Sequence, residues 1–259
     1  MKNRILEKAR RHLPPAALGV AVLLAWEIGV RAFHIPDYVL PRPTAVVVYA
    51  LHNFSDFLGH FWITSVESTL GLVLGIAIGV TLAIASVMSE ATARAIVPWA
   101  IAAKTVPIVA IAPLLILWFG YGLASKVVMA AAICFFPIFV TTLKGFHSFN
   151  EDAWYLFRSY GASKWQLLTK LQVPHCLPYF FASLRVGATL AVIGAIVAEL
   201  AGAKKGLGFL VLYSSMRVDT LQLFGAILFS SVLGFLLYGL VAGLDKLVVT
   251  RMGMETLHE

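Results

Sequence analysis

The sequence predicts an all-α integral membrane protein of about six transmembrane helices. Three observations carry that prediction. The chain is 60% hydrophobic and only 13% charged, with a mean hydropathy of +0.87. Apolar runs long enough to cross a bilayer recur along it, and Lys and Arg gather between those runs. A soluble domain carries about a quarter charged residues, so the apolar surplus here needs a partner other than water. Crossing a hydrocarbon core takes about 20 helical residues, so the 259 residues hold the spans and short connections but no further soluble domain. Segments this apolar must satisfy their backbone groups internally, and the period-two alternation of barrel strands is absent.

The first element follows a basic segment, Met1 to His12. Signal peptides begin this way too, but Trp26, Glu27 and the lack of a small-x-small cleavage site favour a retained helix over Pro14–Phe33. The connection Pro36–His60 contains Leu40-Pro-Arg-Pro-Thr44 and then a semi-polar stretch that reads as an interfacial helix. The second span, Phe61–Met88, places Gly71, Gly75 and Gly79 on one face, where a neighbouring backbone can approach, either in this chain or in a second copy. The third, Trp99–Phe119, contains Pro107 and Pro113, each of which removes a helix hydrogen bond and invites a bend. The fourth is Ser125–Phe146. The fifth, Tyr179–Gly202, repeats a small-residue face in Gly187, Ala191, Gly194, Ala195 and Ala198. Gly202, Gly206 and Gly208 imply a sharply turned loop before the last span, Leu221–Val249.

Two units follow: residues 1–60, holding the tail, first span and external segment, and a core over 61–259 that includes the loop 147–178. Lys and Arg divide about two to one between the two sets of helix ends, and the richer set holds both termini and the 147–178 loop. The positive-inside bias makes that side cytoplasmic. The same clustering explains the net charge of +7 without nucleic acid. Cys134 falls in a span and Cys176 in a basic loop, so they are expected apart and unpaired, and neither has metal-ligand spacing.

The loop is the most informative segment. Glu151 and Asp152 suit the first turn of a helix that runs to about Tyr160. Gly161 can end it in a left-handed conformation. Ser163 can then cap a second helix reaching Leu171, with Pro174 as its stop. Trp165, Leu168, Leu171 and Gln172 form its apolar face, while Lys164 and Lys170 stay wet.

The run Arg158-Ser159-Tyr-Gly161-Ala162-Ser163, then Leu167-Leu-Thr-Lys-Leu-Gln-Val-Pro174 and Leu177-Pro178, resembles the cytoplasmic EAA loop of binding-protein-dependent ABC importer permeases. The segment Lys104-Thr-Val-Pro107 to Gly122, with Ala198-Glu199 and Gly206-Leu-Gly208, is similar to the aliphatic-sulfonate, taurine and nitrate branch. The resemblance runs from about Leu40 onward. It implies a type I importer permease in a bacterial inner membrane, with no active site and no cofactor of its own. It implies as partners two ATP-binding cassette subunits carrying ATP and magnesium, an external substrate-binding protein, and a second permease copy, a homodimer being favoured. The loop's short helix would insert into a groove on the ATPase. One departure stands out: Tyr155-Leu156-Phe157 occupy the place of the usual Glu-Ala-Ala. The acidic contact therefore does not transfer to Tyr155; Glu151 and Asp152 could replace it, or the triplet could dock by apolar burial. The branch handles small anions, with importers of thiamine-pyrimidine precursors, riboflavin and aromatic acids among its relatives, and an anion is the favoured solute.

Charges within spans need separate accounts. Glu199 either lines the solute path or, as preferred here, pairs with Lys204 or Lys205. Lys104 either snorkels to the headgroups or attracts an anion. Glu27, Glu67, Arg185 and Asp245 read as interfacial. Two rival classes remain, a stand-alone secondary transporter or channel and a membrane enzyme. The first lacks an internal repeat, and the second lacks a Walker motif or any metal-spaced cluster.

Overall fold

A computed structural model describes the backbone of residues 2–252 and the side chains of residues 14, 15 and 17–248. The basic cluster before His12, and Arg251, lie outside the described side chains. The described chain is helical throughout: α1 Lys2–Ala32, α2 Pro43–His52, α3 Phe54–Met88, α4 Glu90–Thr105, α5 Ile108–Phe119, α6 Leu123–Phe146, α7 Glu151–Ser159, α8 Lys164–Leu167, α9 Val173–Gly202, α10 Leu207–Met216 and α11 Thr220–Met252. A five-residue π-turn, Leu168–Gln172, joins α8 to α9.

Among the described residues four helices are long and apolar enough to cross a membrane: Phe54–Met88, Leu123–Phe146, Lys164–Gly202 and Thr220–Val248. The pair α4 and α5 makes a fifth if taken as one span, but its halves meet at 101°. The bend expected within the third span is thus a full break between two helices. Pro107 has no N–H and drives Val106 into an extended conformation (φ −72°, ψ 127°), which ends α4 outright. Pro113 sits inside α5 without interrupting it. The semi-polar stretch after Pro43 forms α2, whose N-terminus is held by α1: Thr44 donates from N and Oγ1 to the Glu27 carboxylate at 3.2 and 3.0 Å.

The core is a sandwich of α6 between α3 and α9. Small residues make it possible. A Cβ on Gly71 would overlap Ala130, and one on Gly79 would come to 3.2 Å from Phe139 N. On the other side a Cβ on Gly194 would stand 2.6 Å from Ala130 Cα. Gly71, Gly75 and Gly79, and the small face of α9, therefore pack within this chain against α6. Leu72, Cys134, Ile138, Ala188 and Ala191 fill the space between them. Outside the sandwich large apolar side chains face outward, Phe235 (76% exposed) and Leu117 (77%) among them, as a lipid-facing surface requires.

Candidate functional site

Two polar structures stand at opposite ends of the α6–α9 sandwich. The first is the α7–α8 hairpin. Asn150 caps α7 by accepting from Asp152 N at 2.8 Å, so Glu151 and Asp152 occupy the first turn as expected, both exposed. The helix closes through a Schellman pair: Ala162 N donates to Phe157 O and Gly161 N to Arg158 O, both at 3.0 Å. Gly161 takes φ +71° to make this turn. Ser163 then opens α8 with a capping box, accepting from Gln166 N at 3.3 Å and donating its own N–H to Gln166 Oε1 at 2.8 Å. A two-residue link, Gly161-Ala162, is thus fixed on both sides.

Pro174 does not stop the second helix. The chain runs helical from Lys164 to Gly202 as one 39-residue element. The reason is the π-turn: Val173 N bonds back to Leu168 O, and the wider turn makes room for a proline that has no N–H to give. Cys176 consequently lies in α9, not in a loop, with Sγ directed to Thr142 O at 3.3 Å; it and Cys134 are both buried and free. The apolar face of the hairpin also differs from expectation. Leu167, Leu168 and Leu171 are buried, while Trp165 is 63% exposed and Gln172 half-buried. Leu168 packs with Ala83, Phe139, Phe146 and Cys176, which roots the hairpin among α3, α6 and α9.

What the hairpin leaves outward is aromatic. Tyr155, Leu156, Tyr160 and Trp165 are 63%, 54%, 83% and 63% exposed, and Arg158, also exposed, lies over the Trp154 ring at 5.3 Å. Phe157 is half-buried and Ser159 turns its hydroxyl back to Leu156 O. Tyr160 was not singled out as a docking residue by sequence; its position four residues after Leu156 on the same helical face was the available signal.

The second structure is a buried polar cluster beneath the α9–α10 turn. Glu199 is fully buried, but Lys204 and Lys205 are not its partners. It accepts from Thr64 Oγ1 at 2.7 Å and from Gly208 N, while Thr64 Oγ1 also accepts from Leu207 N at 2.8 Å. His60 Nδ1 accepts from Gly206 N at 2.9 Å. The first N–H groups of α10 are thus satisfied by side chains of α3 and α9. A Cβ on Gly208 would stand 2.9 Å from Glu199, so glycine is what lets the carboxylate sit there. Glu67, expected at an interface, is 2% exposed and pairs with Lys126 Nζ at 2.6 Å. Arg185 and Asp245, likewise expected at interfaces, form a second buried pair between α9 and α11. Sequence could not find these pairs, because their members lie 59 and 60 residues apart. Lys104 remains exposed at the end of α4, with Nζ 5.3 Å from the Phe136 ring centre. No group of His, Cys, Asp and Glu that could hold a metal occurs among the described residues.

The comparisons agree with this geometry. The model of the family "Binding-protein-dependent transport system inner membrane component" matches residues 71–250. The formylaminopyrimidine transport permease ThiX of Halalkalibacterium halodurans is 35% identical, with 94% of this chain and 98% of that protein covered. The riboflavin transport permease RibX of Chloroflexus aurantiacus is 33% identical over 95% and 94%. The putative aliphatic sulfonates permease SsuC of Bacillus subtilis is 27% identical over 88% and 84%. A chain of the inward-facing MetNI methionine ABC transporter superposes with a TM-score of 0.57 at 17% identity, over 81% of this chain and 98% of that one, and so shares the fold. A helical bundle with a stapled hairpin at one end, matched over this length, belongs to the inner-membrane permease family of binding-protein-dependent ABC importers.

Proposed function

We propose that this chain is one of two permease copies, a homodimer, through which an ATP-driven importer passes a small heterocyclic solute. The hairpin faces the cytoplasm and seats in an ATP-binding cassette subunit, which binds ATP and magnesium; an external binding protein delivers solute at the other end. Both termini are then cytoplasmic in a bacterial inner membrane, as the Lys and Arg distribution supports. The family match lies within the core unit of residues 61–259. One observation carries the coupling role: an exposed aromatic patch stands on a turn fixed at both sides and continuous with α9. Displacement of the patch is therefore transmitted along a single helix instead of being absorbed by a loop. The acidic contact of relatives is replaced by apolar burial of Tyr155, Leu156, Tyr160 and Trp165.

For the solute, the pyrimidine and flavin permeases are 35% and 33% identical over nearly the whole chain, above the 27–29% of the sulfonate and taurine permeases. Lys126 and Arg185 are each neutralised by a carboxylate, so neither supplies free positive charge for an anion. Both points move the preference from an anion to a neutral ring.

The test is co-purification with the ATP-binding subunit together with labelling of a Tyr160→Cys variant. Reaction with a membrane-impermeant maleimide only in inverted vesicles, and loss of the ATPase in Trp165→Ala/Tyr160→Ala, are the expected results. Labelling from outside intact cells overturns the proposal. Cys134 and Cys176 are buried and give little background.

A further inference from the structure

Next to the buried cluster is a cavity of about 380 Å³ lined by Trp62, Glu67, Tyr121 and Lys126 with Ile63 and Leu123. It is at the end of the bundle away from the hairpin, because α6 begins beside it at Leu123 and ends beside the hairpin at Phe146. Its volume lies in the range of small-molecule sites. Two features set it apart from a lipid-facing groove. First, its walls carry two large aromatic rings left open, Trp62 at 69% and Tyr121 at 70% exposure. Second, it has a charged floor. Lys126 is only 9% exposed, and its ammonium has three N–H donors. Among the described residues Glu67 Oε1 is the acceptor found for them. A lysine this desolvated is costly unless its donors are met, so the remaining donors favour an acceptor brought by a ligand.

We infer that this cavity binds the transported solute, a small planar heterocycle stacked on Trp62 and Tyr121 and accepting a hydrogen bond from Lys126. The assignment rests on the importer reading above. The charge balance selects the class: with Glu67 2.6 Å from Lys126 the floor is neutral overall and still offers a donor, which suits a ring nitrogen or carbonyl better than a sulfonate. The position also supplies a consequence. Tyr121 stands against Gly202 in the last turn of α9, where an added Cβ would come to 2.8 Å. Solute in the cavity therefore presses on the last turn of α9, the helix whose other end is continuous with the hairpin.

The experiment is equilibrium binding of radiolabelled formylaminopyrimidine to the full chain in lipid nanodiscs, with riboflavin and taurine as competitors. Saturable binding of formylaminopyrimidine, weakened about tenfold in Trp62→Ala and in Tyr121→Ala, is expected from loss of ring stacking. Trp99→Ala, an exposed aromatic on α4, is expected to bind as the parent does. Lys126→Met with Glu67→Met removes the donor without stranding a charge and is expected to abolish binding. Parent-like binding in both aromatic variants overturns the inference, as does competition by taurine stronger than by riboflavin. A parent chain that binds neither formylaminopyrimidine nor riboflavin overturns it too. Binding that behaves as expected in a protein whose uptake proves independent of any ATPase supports the cavity assignment and refutes the proposed coupling.

Discussion

Glu199 on α9 and Thr64 on α3 meet at 2.7 Å across 135 residues of sequence, and together they accept the backbone N–H bonds of Gly208 and Leu207. The start of α10 is thereby tied to the two helices flanking α6. Replacing Glu199 by Ala leaves the Gly208 N–H buried without an acceptor and the Thr64 hydroxyl with the His60 carbonyl at 3.2 Å in place of a carboxylate at 2.7 Å. A loss of about 2–4 kcal/mol is expected, read by thermal unfolding in detergent. Glu199→Gln keeps one acceptor oxygen and is expected to lose about half as much.

The pair Glu67–Lys126 gives a double-mutant prediction. Lys126→Met alone strands a buried carboxylate and is expected to cost about 3–5 kcal/mol. Adding Glu67→Gln is expected to restore most of that loss, since no charge is then left unpaired. Equal instability of the single and double variants, measured in the same detergent, would count against the ion pair as the cause.

Backbone approach decides the third prediction. Gly194→Ala puts a Cβ 2.6 Å from Ala130 Cα, a backbone atom that cannot rotate away. A destabilisation of about 1–3 kcal/mol is expected. Gly239→Ala meets nothing within 4 Å and is expected to change thermal stability little.

Gly161 separates conformational strain from steric overlap. Its φ of +71° lies in the left-handed region, yet no atom lies within 4 Å of an added Cβ. Gly161→Val is therefore expected to cost about 1–2 kcal/mol through the turn alone. Membrane insertion should persist, while ATP-dependent uptake into cells falls several-fold because the aromatic patch is re-aimed. Gly161→Asn, which tolerates this φ, is expected to retain more uptake than valine.

Much of the hairpin was legible residue by residue. Gly161 and Ser163 are a stop and a start with local causes, and each does in the structure what its chemistry allows. Pro174 shows where such reading fails. A proline is a stop signal only if the helix around it stays α, and a single π-turn removes the conflict without breaking the axis. Trp165 fits the helical period of the buried face, but of that face Leu168 and Leu171 are the buried residues and Trp165 is exposed. Glu199 was matched to the nearest lysines in sequence, whereas burial selected a hydroxyl and a backbone N–H from distant helices.

By itself the sequence determined that the chain is a bundle of lipid-facing helices, where most of those helices lie, and which loop carries a capped hairpin. Those properties follow from hydropathy, glycine and proline geometry and local capping, all of which act within a few residues. The tertiary structure alone decided that α6 is the central helix, that Lys126 and Arg185 are neutralised by Glu67 and Asp245, and that the third span is broken at a steep angle. Each of these depends on which faces meet across tens of residues. In a chain where nearly every face is apolar, periodicity does not distinguish the face that meets a helix from the face that meets lipid.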